Sequence, residues 1–335
     1  MNAKDKARAI VKHIRHADKK VRARFSWLRH QSFIGLGIFT LSCAGMVAAS
    51  WGWIAGVYPF WAMVLTNAFL ASLLHELEHD LIHSLYFKDT WVEKLMMWGV
   101  WVFRGNTPSP FYRKKIHLLH HKDSGQFSDI EEQMIGNGMK MGLKRLIVMI
   151  DQNLAFLLNV RKVAETSPEL NIREMFRASI PFHMLFTITL NTVLLGTAGM
   201  WLQSQGYLQL PLWFIEVYPY FVIAGAVWVL PNFIRQASLQ IISSNMHYFG
   251  DIEPGREGLI QQCQVLTPWY LVPFQLFCFN FGSTHGIHHF VVNQPFYLRQ
   301  MIASRAHAAM RRYGVRFNDT KTLSRANRYS LSIAQ

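Results

Sequence analysis

The chain is short of charge. Only 16% of its 335 residues are Asp, Glu, Lys or Arg, and 20 of these are acidic against 34 basic. A soluble globule of this size carries a denser charged surface, so the shortage argues for a membrane protein. Cysteine is scarce as well. Cys43, Cys263 and Cys278 make no Cys-x-x-Cys pair, which argues against a disulfide framework or a thiolate metal site and reads as buried thiols. No apolar run precedes residue 33, so a cleavable signal peptide is not expected. The net charge of +14 does not make a nucleic-acid surface, because the basic residues gather between and outside the apolar segments. Abundant instead are hydrophobic residues (51%), with 11 Trp and 24 Phe, rings that anchor at a lipid interface.

The apolar segments fall into a pattern. Phe33 to Ser50 and Val57 to Leu74 carry no charge, and their connector, Trp51 to Gly56, is short and uncharged. A span needs ~20 apolar residues, so these two predict a hairpin. Ala178 to Gln203 and Leu210 to Ile234 predict a second hairpin around the uncharged connector Ser204 to Gln209. The expected fold is an all-α integral membrane protein, with four transmembrane helices in two hairpins. The basic segments then share one side, which the positive-inside rule makes cytoplasmic, together with both termini. Residues 1–32 read as a basic amphipathic segment suited to an anionic membrane surface. Residues 33–290 read as the membrane domain and 291–335 as a basic cytoplasmic tail. Leu95 to Phe103 and Pro268 to Phe281 are apolar but too short to span, and read as interfacial helices. Leu146 to Val160 reads as one further surface helix around Asp151.

Ten of the fifteen histidines fall in four places: 75/79/83, 117/120/121, 247 and 285/288/289. Residues four apart share a helix face, so His75, His79 and His83 form one stripe at the end of the second span. His-x-x-His-His occurs twice. One match is expected by chance roughly 0.03 times in such a chain, so a pair carries meaning. By the topology above, all four places lie on one membrane face, in a cytoplasmic helical cap. A catalytic zinc takes about three protein ligands, and this set is too large for one ion. It reads as a di-metal site, with iron the expected metal and positions left open for dioxygen.

These boxes resemble those of the membrane fatty acid desaturase superfamily, which includes desaturases, lipid hydroxylases and alkane hydroxylases. The match is to His75-x-x-x-His79, His117-x-x-His120-His121 and His285-x-x-His288-His289, in that order, and covers roughly residues 33–290. Asn245-x-His247-Tyr-x-Gly250 is similar to the motif that brings a further histidine from the end of the fourth span, with altered spacing. The resemblance implies two irons held by His75, His79, His117, His120, His121, His247, His285, His288 and His289, with His83 and Asn245 as additional ligands or neighbours. It implies oxygen-dependent attack on an unactivated C–H bond of an acyl chain or other lipid. Glu76, Glu78, Asp80 and Asp123 are candidates for orienting the rings. Arg113, Lys114 and Lys115 are candidates for contact with an acidic headgroup, coenzyme A or a donor protein. With no fused heme-binding or iron–sulfur domain visible, a separate ferredoxin, rubredoxin or cytochrome is expected to supply electrons.

Competing readings exist. His75-Glu76-Leu77-Glu78-His79 is also His-Glu-x-x-His, the signature of a zinc protease with Glu76 as general base, but that reading leaves both His-x-x-His-His clusters unused. A metal carrier would place its ligands in mid-membrane. His183 and His307 read as structural, and His13, His16 and His30 as solvated. Box spacing does not separate desaturation from hydroxylation, because substrate position relative to the metal decides between them.

Overall fold

The computed structural model describes residues 1–330; the last five residues of the basic tail lie outside it. Among the described residues the secondary structure is helical, apart from two isolated bridges, His247 to Cys263 and Val265 to Phe317. Four helices are long and apolar enough to cross a membrane: α2 (Gln31–Ile54), α3 (Phe60–Ile82), α10 (Phe182–Ser204) and α11 (Leu212–Met246). Two of them, α3 and α11, continue well beyond the apolar runs predicted for them, through Glu76 and Arg235 respectively. The membrane-spanning potential is set by side chains, but helical backbone continues wherever tertiary packing can use it. The clearest case is α3. It begins among exposed rings at Phe60 and Trp61, and from Leu74 to Ile82 every residue is buried.

The 35-residue α11 shows the same division. Its first part, Leu212–Ala224, contains no buried residue, whereas Leu230–Met246 is largely buried against the protein. Between them lies a π-helical turn, Gly225–Val229, flanked by Pro219 and Pro231. Each proline lacks the N–H that an α-helical ladder needs, and a wide turn is one way to absorb that loss. Carbonyls of this turn find partners elsewhere: Asn67 Nδ2 donates to Val227 O (3.0 Å) and Asn232 Nδ2 to Trp228 O (3.0 Å).

The remaining helices are shorter: α4 (Trp91–Arg104), α5 (Pro110–Asp123), α6 (Ile130–Met134), α7 (Leu143–Ile150), α8 (Gln152–Thr166), α9 (Ile172–Ala178), α12 (Leu259–Gln262), α13 (Val272–Phe277), α14 (Phe281–Phe290) and α15 (Phe296–Arg312). The stretch expected as a single helix around Asp151 is two. Asp151 leaves helical geometry at φ −126° and its side chain accepts from Leu154 N, capping α8. A short acceptor side chain competes with the helix it would otherwise sit in.

The amphipathic N-terminal helix α1 (Ala3–Arg24) is capped by Asn2, whose side chain accepts from Asp5 N at 2.8 Å. Its apolar stripe does not face outward. Ala7, Ile10, Ile14 and Ala17 are buried in a core with Ile287, Ile302, Ala306 and Met310 of α14 and α15. At roughly 25 cal/mol per Å² of apolar surface, such burial holds the helix to the protein without any contribution from lipid.

Candidate metal centre

Three helices and one loop deliver the histidines. His79 and His83 stand on the last turn and C-cap of α3. His117, His120 and His121 end α5, and His285, His288 and His289 end α14. His247 leaves α11 at its C-cap in extended backbone. The α5 segment is helical because Ser109 caps it through Tyr112 N and Pro110 fills its first turn. His-x-x-His-His at helical pitch then offers rings on two adjacent faces, enough to reach two neighbouring points.

The rings gather into two groups. His79, His83, His117, His121 and His288 form one, and His120, His247, His285 and His289 the other; within each group one nitrogen per ring lies within 4.8 Å of all the rest. The groups adjoin, with His121 and His289 ring centres 5.3 Å apart and those of His79 and His285 5.4 Å apart. Of the nine histidines expected as ligands, eight fall in these groups. His75 does not. It lies one turn deeper on α3, against the Phe281 ring at 6.3 Å, and His83 takes the place at the other end of the stripe.

The outward nitrogens explain which way the rings face. His120 Nδ1 donates to Asp129 (2.8 Å), His117 Nδ1 to Glu131 (2.9 Å), His289 Nδ1 to Gln262 Oε1 (3.1 Å) and His247 Nδ1 to Ser243 O (3.1 Å). An ionised carboxylate or a carbonyl only accepts, so these rings carry hydrogen on Nδ1, which leaves Nε2 of His117, His247 and His289 a lone pair and makes Nε2 of His120 the site from which a metal must displace a proton. The Nε2 atoms point at one another: His117 to His83 at 3.2 Å, His117 to His121 at 3.1 Å, His121 to His288 at 2.9 Å, and His285 to His289 at 3.1 Å. His79 Nε2 and His247 Nε2 are buried without a hydrogen-bond partner. Converging lone pairs repel unless a cation stands among them, and rings steered from behind by acceptors are the usual arrangement around a metal. The donor set therefore fits metal ions: borderline nitrogen ligands, with iron, zinc and copper all compatible.

Electrostatics agree. Burial, reinforced by neighbouring rings, holds His83 and His247 down to about 3, and holds His121, His285, His288 and His289 well below the ordinary histidine value. All are therefore neutral and free to ligate. His120 is the exception. Burial disfavours its charge, but Asp129, and behind it Glu131 and Glu132, raise it to about 10. Glu131 moves the other way: burial opposes its charge, yet His117 brings it to about 2.

The acidic residues on α3 have other partners. Glu76 and Asp80 contact Arg299 of α15 at 3.3 and 3.1 Å, and Asp80 also accepts from Tyr86 Oη (2.7 Å) and Phe296 N (2.9 Å). Glu78 pairs with Arg104 and, at 2.7 Å, with Arg113. All three carboxylates are buried, but none is within hydrogen-bond distance of a ring. Asp123 accepts from Ser128 Oγ (3.2 Å), and Asn245 spans Ile241 O and Thr322. Lys114 donates to Ser84 Oγ (2.7 Å) and Lys115 pairs with Glu174 (2.6 Å). The residues that do steer the rings, Asp129, Glu131 and Gln262, were not singled out from the sequence. Asp129-Ile-Glu-Glu132 shortly after the second box was the available signal.

A cavity of about 180 Å³ opens beside the rings, and His75, His79, His117, His120, His247 and His285 form part of its wall. Its other walls are largely aliphatic and aromatic, including Ile116, Ile130, Met134, Phe156, Leu239 and Phe281.

A search by family model finds fatty acid desaturase over residues 55–321, most of the chain and every box described above. The chain belongs to the fatty acid desaturase family. It is accordingly an oxidoreductase of the lipid-oxidising kind, with membrane-spanning helices and histidine boxes. No curated protein sequence matches it. The family match continues past Phe290 through α15, the helix that supplies Arg299 to the α3 carboxylates. The protease arrangement finds no support in the desaturase-family geometry: His75 and His79 share no ligand group, and Glu76 is held by Arg299.

Proposed function

We propose that this protein is an oxygen-dependent, non-heme di-iron desaturase acting on a fatty acyl chain or related lipid at the cytoplasmic membrane face. The observation that carries the reading is the pair of adjoining, wholly imidazole groups with their lone pairs turned inward. His79, His83, His117, His121 and His288 would hold one iron, and His120, His247, His285 and His289 the other. Bound there, the irons supply activation of dioxygen and removal of hydrogen from an unactivated C–H bond.

The chain's own residues do the rest. Asp129 and Glu131 hold the His120 and His117 tautomers with Nε2 turned inward. Phe281, stacked on His285 at 4.0 Å between ring centres, and Leu239 wall the cavity against water. Apolar walls suit a methylene chain and give it little but shape to hold it by. A broader selection of the site for lipid follows from the buried ends of α3 and α11, which meet the ring groups. The uncharged connectors after α2 and α10, set against the basic segments at 1–30 and 84–177, support a cytoplasmic location. Electrons come from a separate donor protein.

Metal analysis of the purified protein tests the core of this reading, with two irons per chain expected. One zinc per chain and no iron would overturn it. Mass spectrometry of lipids from cells with and without the gene then separates the reactions. Loss of a hydrogen pair marks desaturation, and gain of an oxygen atom would make the enzyme a hydroxylase.

A further inference from the structure

Part of the cavity wall is built from arginine. Arg104 closes α4, 1% exposed, and lines the cavity together with Arg113, Tyr112 and Gln236. Behind that wall stands Arg235, 0% exposed, whose Nη2 donates to Gln236 Oε1 (2.7 Å) and Asn106 Oδ1 (2.9 Å). Within ion-pair distance these three guanidinium groups share a single carboxylate, Glu78, which touches Arg104 and Arg113. Among the described residues Arg235 has no acidic partner within ion-pair distance. Glu76 and Asp80 on the other side of α3 have their own arginine, Arg299. Glu131, which lines the same cavity, acts on the half-buried Arg113, so these four arginines are matched in number by four carboxylates.

Donors, however, are left over. Arg104 Nε and Nη2, Arg235 Nε and Nη1, and Tyr112 Oη are buried with no hydrogen-bond partner. Buried donors of this kind are destabilising until an acceptor meets them. The local field is visible in Arg104 itself, which burial and then the neighbouring Arg235 and Arg113 hold well below the ordinary arginine value. Of the carboxylates beyond, Asp129 and Glu132 are turned to His120 and His247, while Glu131 acts on both His117 and Arg113.

We propose that this part of the cavity is a carboxylate-binding subsite, formed by Arg104, Arg113 and Tyr112 with Arg235 behind them, and that the substrate is a lipid acid presented with its acid group free. The planar guanidinium fork matches two carboxylate oxygens. Since arginines and histidines line the same small cavity, the oxidised carbons lie within its length of the acid group. The inference rests on the proposed lipid oxidation only for its purpose, not for its binding.

Binding to the metal-free protein in lipid nanodiscs tests it separately, by calorimetry with octanoate, octanamide and octyl phosphate. Octanoate is expected to bind about tenfold or more tightly than octanamide, the worth of one or two charge-assisted hydrogen bonds. That preference should shrink in Arg113→Gln, which leaves Glu78 its Arg104 partner, and in Arg235→Gln. Equal binding of octanoate and octanamide to the unaltered protein would overturn the proposal, whatever the variants do. So would tighter binding of octyl phosphate, which would make the subsite one for a phosphate headgroup. An iron-free preparation removes turnover from the readout, so failure here leaves the oxidase reading standing, and failure of metal binding leaves this one.

Discussion

Asp129 takes the Nδ1 proton of His120 on one oxygen, at 2.8 Å, and caps α6 through Glu132 N with the other. The same oxygen that meets His120 also accepts from Gly125 N at 2.9 Å. One carboxylate thus fixes a ring, a turn and a helix start together. Asp129→Asn keeps the capping ability but presents an amide where His120 needs an acceptor of full charge. Metal affinity is expected to fall about 10–100-fold while the protein still folds. Competition against a chelator of known affinity measures it, and unchanged affinity would mean that Asp129 does not steer the His120 ring toward the metal.

His120 also makes metal binding pH-dependent. With its value at about 10 and the other group members neutral, a metal must displace about one proton from this ring at neutral pH. Apparent affinity should therefore rise about tenfold per pH unit until roughly pH 10 and then level. In the metal-free protein the raised value contributes stability that is complete below the unfolded histidine value, about 6.5, and is lost as pH rises through about 10. Calorimetry in buffers of different ionisation enthalpy counts the released proton.

The two ends of the α3 stripe should behave differently. His83→Ala is expected to lower bound metal, because His83 Nε2 faces His117 Nε2 at 3.2 Å inside the first ring group. His75→Ala should leave metal content near normal and act on substrate binding, since His75 lines the cavity and joins neither group. Metal analysis of both variants, alongside His288→Ala as a ligand control, decides this. Full metal in His83→Ala with loss in His75→Ala would reverse the assignment.

Arg299 holds two buried carboxylates, and removing it leaves both without a counter-charge. Arg299→Met is expected to destabilise the fold by about 3–5 kcal/mol, the cost of breaking a buried pair from one side. Neutralising the partners as well, in Arg299→Met with Glu76→Gln and Asp80→Asn, should recover much of that loss. Thermal unfolding in detergent, followed by tryptophan fluorescence, reads both.

The spans and the histidine boxes were legible because each is a local pattern: length without charge for the first, spacing at helical pitch for the second. The choice between His75 and His83 was not. Helix periodicity puts 75, 79 and 83 on one stripe and cannot say which end of the stripe meets α5 and α14. That is settled by packing over more than 200 residues of separation, as at His79 and His288, whose ring centres lie 4.2 Å apart. The partners of the acidic residues were out of sight for a related reason. Glu76 and Asp80 sit next to ligands in sequence, but a helix sends neighbouring side chains in different directions, and theirs meet Arg299 on a helix that nothing nearby announces. The stripe on α1 was likewise legible as a stripe, while the identity of what covers it, α14 and α15, was a long-range fact.

That long range has a temporal side. The first ring group draws on positions from His79 to His288, and the second is not complete before His289. Synthesis must therefore proceed past His289 before both groups can close. Until then the nascent chain carries loose imidazole pairs, and only after that point can an ion meet the full set.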